Sequence, residues 1–254
     1  MAEPAPTVLI TGAAQRIGRA IALDFASRGW QVALHCRSSR KEAEGLASEL
    51  SARGVKTAIL PADLADSTAV EGLVSSCITA LGTPSCLINN AAMFHEDDLA
   101  TLDAAAWEIQ LAVNLKAPVF LSRQFARHLA PNTEGNIINI IDQRVWRPTP
   151  QLFSYAVSKG GLWAATRMLA QALAPRVRVN AIGPGPVLKS TLQTDEQFRR
   201  ECEATLLGRG SSPQEIAAAI RFILDAPAMT GQMIALDGGQ HLSWQDPYAS
   251  KSDV

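Results

Sequence analysis

Seven short apolar runs recur along the chain: TVLIT at 7–11, QVALH at 31–35, KTAIL at 56–60, CLINN at 86–90, NIINII at 136–141, VRVNAI at 177–182 and MIAL at 233–236. They read as strands. Between them apolar residues return at helical spacing, as in Ile17, Ala20, Ile21, Leu23 and Phe25, in Ala43, Leu46, Ala47 and Leu50, and in Val70, Leu73, Val74 and Ile78. Near-continuous apolar strands alternating with helices must be covered on both faces. The pattern therefore predicts an α/β fold, a doubly wound parallel sheet of about seven strands. A length of 254 residues suits one such domain. There is no internal repeat, low-complexity stretch or Gly/Ser linker. Flexible tails are expected at 1–6 and about 243–254, and the one irregular insertion, roughly 183–212, is a candidate substrate lid.

A net charge of -1 gives no basic field for nucleic acid or an anionic membrane, so small molecules are the expected partners. No apolar run approaches the ~18 residues of a membrane span. Cys36, Cys77, Cys86 and Cys202 lack metal-ligand spacing, and three lie in apolar settings that suit reduced core thiols, so no metal and a cytoplasmic compartment are expected. The start, MAEPAPTVLIT, has no basic region before an apolar stretch, and no export signal is expected.

At the end of the first strand, TGAAQRIG carries Gly12 and Gly18 into a helix. There a parallel sheet offers a tight turn and helix N-terminal amides to a pyrophosphate. Two glycines six apart are weak alone, but their place between strand and helix is the required context. Arg16 adds a guanidinium to this loop, which suggests extra negative charge nearby. After the second strand, HCRSS puts Cys36 where a carboxylate would hold the ribose hydroxyls of NAD, followed by Arg37, Ser38 and Ser39, which can hold a 2′-phosphate. This predicts NADPH/NADP; the alternative for Arg37 is a solvated surface arginine. Asp63 and Leu64 follow the third strand, where adenine could be met, and Asn89, Asn90 and Ala91 end the fourth.

Tyr155 and Lys159 stand four residues apart in SYAVSK. On a helix they share one face and can enter one cleft. A tyrosine exchanging protons near neutral pH needs its pKa brought below about 10, and a lysine cation does this. The alternative is an ordinary exposed pair on an amphipathic helix. It is weakened because the chain has only two tyrosines, the other being Tyr248 in the polar tail.

Taken in order, TGAAQRIG, ADL at 62–64, NNAA at 89–92, Asn114 in VNLKAP, SYAVSK, IGPGP at 182–186 and DGG at 237–239 resemble the short-chain dehydrogenase/reductase family over about residues 7–239. The resemblance implies a Rossmann-type domain that binds NADP through Gly12, Arg16, Ile17, Gly18, Arg37, Ser38, Asp63, Leu64, Asn90, Ala91, Lys159, Pro184 and Gly185. It implies hydride transfer with Tyr155 as proton donor, Lys159 holding the ribose and lowering the tyrosine pKa, and Asn114 supporting a water relay. Thirteen residues before the tyrosine, where the family usually has serine, the chain has Asp142. Together with Arg16 this is similar to the pteridine reductase branch, including bacterial dihydromonapterin reductases. By that likeness Arg16 and Phe94 face substrate, since Phe94 in NNAAMF falls where an aromatic stacks on the pterin. Ala92 departs from the serine of that branch. Arg144 and Trp146 in DQRVWRP lie near the site; Trp146 is a further substrate candidate, and a packed loop tryptophan is its alternative. The family's assembly implies a homotetramer through helices around 113–130 and 154–174.

A serine hydroxyl can only polarise a carbonyl oxygen, whereas a carboxyl group can exchange a proton with the nitrogen of a C=N unit. Asp142 and Tyr155 are thus expected to act together on a pterin-like heterocycle, unless Asp142 merely caps a turn. A carbonyl reductase of a ketone or 3-oxoacyl substrate is the second reading. A non-catalytic NADPH-sensing protein is the third, opposed by the intact set Tyr155, Lys159 and Asn114.

Overall fold

The computed structural model describes residues 5–243. Trp244, Tyr248 and nearly all of the two expected tails lie outside the described residues. Seven strands, β1 (Thr7–Ile10), β2 (Gln31–Cys36), β3 (Thr57–Pro61), β4 (Cys86–Asn89), β5 (Gly135–Ile140), β6 (Val177–Pro184) and β7 (Met233–Leu236), form one sheet in the order β3-β2-β1-β4-β5-β6-β7. Every pairing is parallel. The order reverses direction between β1 and β4, which opens a crevice at their carboxyl ends.

Alternation along the strands explains why both faces are covered. Val8 and Ile10 of β1 and Ile88 of β4 point to one face. There they meet Ile21 and Phe25 of α1 (Arg16–Ser27), Leu46 and Leu50 of α2 (Arg40–Ser51), and Ile216 and Ile220 of α8 (Pro213–Leu224). Leu9 and Leu87 point the other way, against Leu73, Val74 and Cys77 of α3 (Ser67–Leu81) and Leu121 and Phe125 of α5 (Ala117–His128). The remaining helices are α4 (Ala104–Leu111), α6 (Phe153–Leu173) and α7 (Asp195–Glu203). No helix among the described residues is long and apolar enough to cross a membrane.

Two expectations change. The helix expected around 113–130 begins at Ala104 and runs through a π turn at Ala112–Lys116 into α5. The insertion at 183–212 is not irregular throughout, because it contains α7. Thr194 and Gln197 form a reciprocal cap at its start, and Glu196 pairs with Arg199 and Arg200 along it. No residue of α7 is buried, so it lacks the apolar periodicity by which a helix is found in sequence.

Candidate active site

The crevice holds a cavity of about 360 Å³. Its walls come from four strand ends: the glycine turn after β1, Arg37 and Ser38 after β2, Asp63 and Leu64 after β3, and Asn90 and Ala91 after β4. Gly12 has φ +63°, and a Cβ on Gly18 would lie 2.1 Å from the Gly12 carbonyl oxygen, so both positions require glycine. Asn90 Nδ2 donates to the carbonyls of Thr11 (2.9 Å) and Gly12 (3.1 Å), fixing the turn to the end of β4. This bare backbone cradle at a helix N-terminus fits a pyrophosphate. Arg37 is exposed and has no ion-pair partner among the described residues, whereas Arg40 is paired with Glu44 at 2.9 Å. With no carboxylate at the end of β2, the donor set at that rim fits a 2′-phosphate.

Several cofactor expectations need adjustment. Arg16 lines the cavity, yet its two terminal nitrogens donate to the Lys189 and Leu188 carbonyls, each at 2.9 Å. It clasps the loop after β6 and does not extend freely into the phosphate turn. Its φ of +52° lies in the region that favours glycine, a strain that the two charge-assisted bonds offset. Lys159, Pro184 and Gly185 are not among the residues lining this cavity. Asp63 accepts from the Ala65 amide at 2.9 Å, so it also shapes its own turn.

His35 lines the cavity and had no place in the sequence motifs. Buried on β2, it accepts from the Gly12 amide through Nδ1 at 3.0 Å, and its Nε2 lies 3.1 Å from the Ala62 carbonyl. Burial lowers its pKa, which fits the neutral ring with hydrogen on Nε2. A histidine inside an apolar run looks like ordinary core, so the pattern offered no reason to single it out.

Asp142 follows β5 and uses both carboxylate oxygens. Oδ1 accepts from the Arg144 amide at 2.8 Å, and Oδ2 accepts from the Tyr155 hydroxyl at 3.2 Å. The turn-capping and tyrosine-pairing readings are therefore both realised. Burial raises the Asp142 pKa, against lowering by Arg144 and Lys159. Tyr155 is pushed well above its ordinary value by burial and then by the Asp142 carboxylate, opposite to the expected lowering by Lys159. Lys159 is only 2% exposed, donates to the Ile140 carbonyl at 2.8 Å, and is itself brought down to about 8 by burial.

Asn114, in the π turn, is fully buried. Its Oδ1 accepts from the Met93 amide at 2.7 Å, while Nδ2 donates to the Met93 carbonyl at 2.9 Å and to Ser158 Oγ at 3.1 Å. The side chain thus fixes the 91–94 segment to α6. Phe94, next along, is 39% exposed and meets the Tyr155 ring edge-on, with centroids 5.0 Å apart. The Asp97 carboxylate accepts from the Ser154 amide at 3.1 Å and from the Ser154 hydroxyl, which locks the same segment to the start of α6. Trp146 is 44% exposed, edge-on to His241 at 4.9 Å, and so is not a packed loop residue.

The family model described as Enoyl-(Acyl carrier protein) reductase matches residues 12–241. The chain is 36% identical over 239 residues to the uncharacterized oxidoreductase YjdA of Bacillus subtilis, covering 91% of this chain and 95% of that protein. It is 28% identical over 241 residues to the 3-oxoacyl-acyl-carrier-protein reductase FabG of Staphylococcus aureus, covering 93% of this chain and 98% of the relative. Among solved structures it is similar to FolM alternative dihydrofolate reductase 1 from Brucella suis in complex with NADP. There the TM-score is 0.93 and the identity 46%, over 98% of this chain and 100% of that one.

Proposed function

Since the chain belongs to the short-chain dehydrogenase/reductase family and is an NADP-dependent oxidoreductase, we propose that it reduces the C=N bond of a pterin-like heterocycle of the dihydropterin or dihydrofolate class. The observation that carries this reading is the Asp142 carboxylate bonded to the Tyr155 hydroxyl, with the half-exposed Phe94 ring packed on the same tyrosine. Similarity to the NADP-bound dihydrofolate reductase FolM supports it.

In this reading the cavity residues Gly12, Ile17, Gly18, Arg37, Ser38, Leu64, Asn90 and Ala91 hold NADPH, and the buried Lys159 of α6, outside that lining, would hold the ribose. When bound, the reduced nicotinamide supplies the hydride. Phe94 lays the flat substrate ring beside Tyr155, and Trp146 borders the open side. Asp142, whose carboxyl is made more basic by burial, carries the proton to the ring nitrogen and shares it with Tyr155. Tyr155 stays protonated at neutral pH, as a donor must. Asn114 holds Met93, and through it the Phe94 segment, at the right height.

The decisive experiment follows NADPH oxidation with dihydropterins, dihydrofolate and biopterin beside a panel of ketones and 3-oxoacyl thioesters. Turnover of a pterin supports the proposal, and turnover of ketones alone refutes it. The second reading, a carbonyl reductase, is favoured by the likeness to FabG. We further propose a homotetramer, supported by the exposed Val157 and Met168 on α6, and a cytoplasmic setting, supported by the buried free thiols of Cys36, Cys77 and Cys86.

A further inference from the structure

Arg144 has no place in the reaction as proposed, yet its guanidinium lies between two carboxylates. Nη1 is 3.5 Å from Asp142 Oδ2, the oxygen that also accepts the Tyr155 hydroxyl, and Nη2 is 3.9 Å from Glu201 Oε1 on α7. Glu201 Oε2 accepts from Gln193 Nε2 at 2.8 Å, and Gln193 Oε1 accepts from the Ser190 amide at 3.1 Å. A run of polar contacts thus joins the reacting pair to the segment from Ser190 to Glu203. The side chains of Asp142, Arg144 and Glu201 are 13%, 25% and 26% exposed, so solvent screens them weakly.

The charged and titratable groups facing Asp142 are Arg144 from its own turn, Tyr155 and Lys159 from α6, and Glu201 from α7 behind the arginine. Of these, Lys159 is tied to the Ile140 carbonyl. Both contacts of the Arg144 guanidinium are long for a charge-assisted hydrogen bond. A movement of about an ångström toward either carboxylate would tighten one contact and weaken the other. Closer to Asp142, the guanidinium favours the ionised carboxylate. Closer to Glu201, it leaves Asp142 to the effect of burial, which favours the acid.

We infer that Arg144 is a positioning residue that sets how tightly Asp142 holds its proton, and that Glu201 tunes this by competing for the same guanidinium. The position of α7 and its loop is thereby transmitted to the proton donor. The mechanistic meaning rests on the proposed role of Asp142 as that donor, but the electrostatic claim can be tested without any substrate.

The test is an NMR titration of the full-length protein carrying labelled aspartate carboxyl carbons, with Asp142 assigned by the resonance lost in Asp142→Asn. The expected results are an upward shift of the Asp142 midpoint in Arg144→Gln, a downward shift in Glu201→Gln, and a midpoint near that of the unmodified protein in Arg144→Lys. An unmoved midpoint in folded Arg144→Gln, or an upward shift in Glu201→Gln, overturns the inference. If Arg144→Gln does not fold, the sign in Glu201→Gln decides. Failure to turn over a pterin would refute the proposed function and leave this result standing.

Discussion

The Tyr155 hydroxyl donates to Asp142 Oδ2 while Asp142 Oδ1 holds the Arg144 amide, so one carboxylate joins the proton chemistry to the shape of the turn after β5. Asparagine at 142 preserves an oxygen for the Arg144 amide but cannot carry a proton. Asp142→Asn should therefore keep the fold and lose pterin turnover by about 10²–10⁴-fold, and Asp142→Ser should lose it comparably. Full pterin activity in Asp142→Asn excludes the proton role. The same variant carries a stability prediction. Because the folded pKa of Asp142 is raised, the folded protein binds this proton more tightly than the unfolded chain. Its contribution is fully present at pH below the ordinary carboxylate value and is lost as pH rises through the raised one. Above that window Asp142→Asn should melt higher than the unmodified cofactor-free protein, as read by thermal melts across pH.

Phe94 contacts Tyr155 from an exposed position, so removing its ring should affect the ligand more than the fold. Phe94→Leu is expected to raise the pterin Michaelis constant about 3–10-fold, the equivalent of 0.5–1.5 kcal/mol of aromatic contact, with NADPH affinity and melting temperature unchanged. A large drop in melting temperature would show Phe94 to be a core residue instead.

For the two arginines of the cofactor rim the geometry separates what their chemistry alone does not. Arg37, without an ion-pair partner among the described residues, should contribute to 2′-phosphate binding. Arg37→Ala should raise the NADPH Michaelis constant about 10–100-fold with little effect on NADH. Arg16 is engaged with the Leu188 and Lys189 carbonyls, so Arg16→Ala should weaken NADPH and NADH alike. Equal effects of Arg37→Ala on both cofactors would remove the phosphate assignment.

Lys159 illustrates a residue kept against stability. Its folded pKa of about 8 lies below the ordinary 10.5, so at neutral pH the folded state carries a buried ammonium whose one acceptor among the described residues is the Ile140 carbonyl. Between about 8 and 10.5 the unfolded chain binds more protons, and stability should rise with pH across that window. Lys159→Met should therefore raise the neutral-pH stability of the cofactor-free protein by about 1–3 kcal/mol while abolishing turnover. Denaturant midpoints of the two proteins at neutral and alkaline pH check both signs.

All seven strands lie within two residues of the apolar runs, because strands buried on both faces leave a near-continuous apolar trace. Positions set by strand ends were equally legible: Gly12, Gly18, Arg37, Asp63, Leu64, Asn90 and Ala91 all meet in one cavity. What the sequence concealed depends on contacts between distant segments. The hold of Arg16 on residues 188 and 189 spans more than 170 positions, and the raised pKa of Tyr155 comes from burial that no spacing reveals. The attachment of Asn114 to Met93 has no trace in the sequence, because a π turn has no distinctive composition. Helix α7 escaped because charge and capping hold it, not an apolar stripe.

The clasp made by Arg16 has a consequence for how this enzyme can diverge. Its partners are main-chain oxygens of Leu188 and Lys189, which every amino acid supplies. The anchor between this loop and the glycine turn therefore does not depend on which side chains stand at 188 and 189. Substitution at either position should leave the clasp intact, whereas loss of the guanidinium releases the loop from the turn.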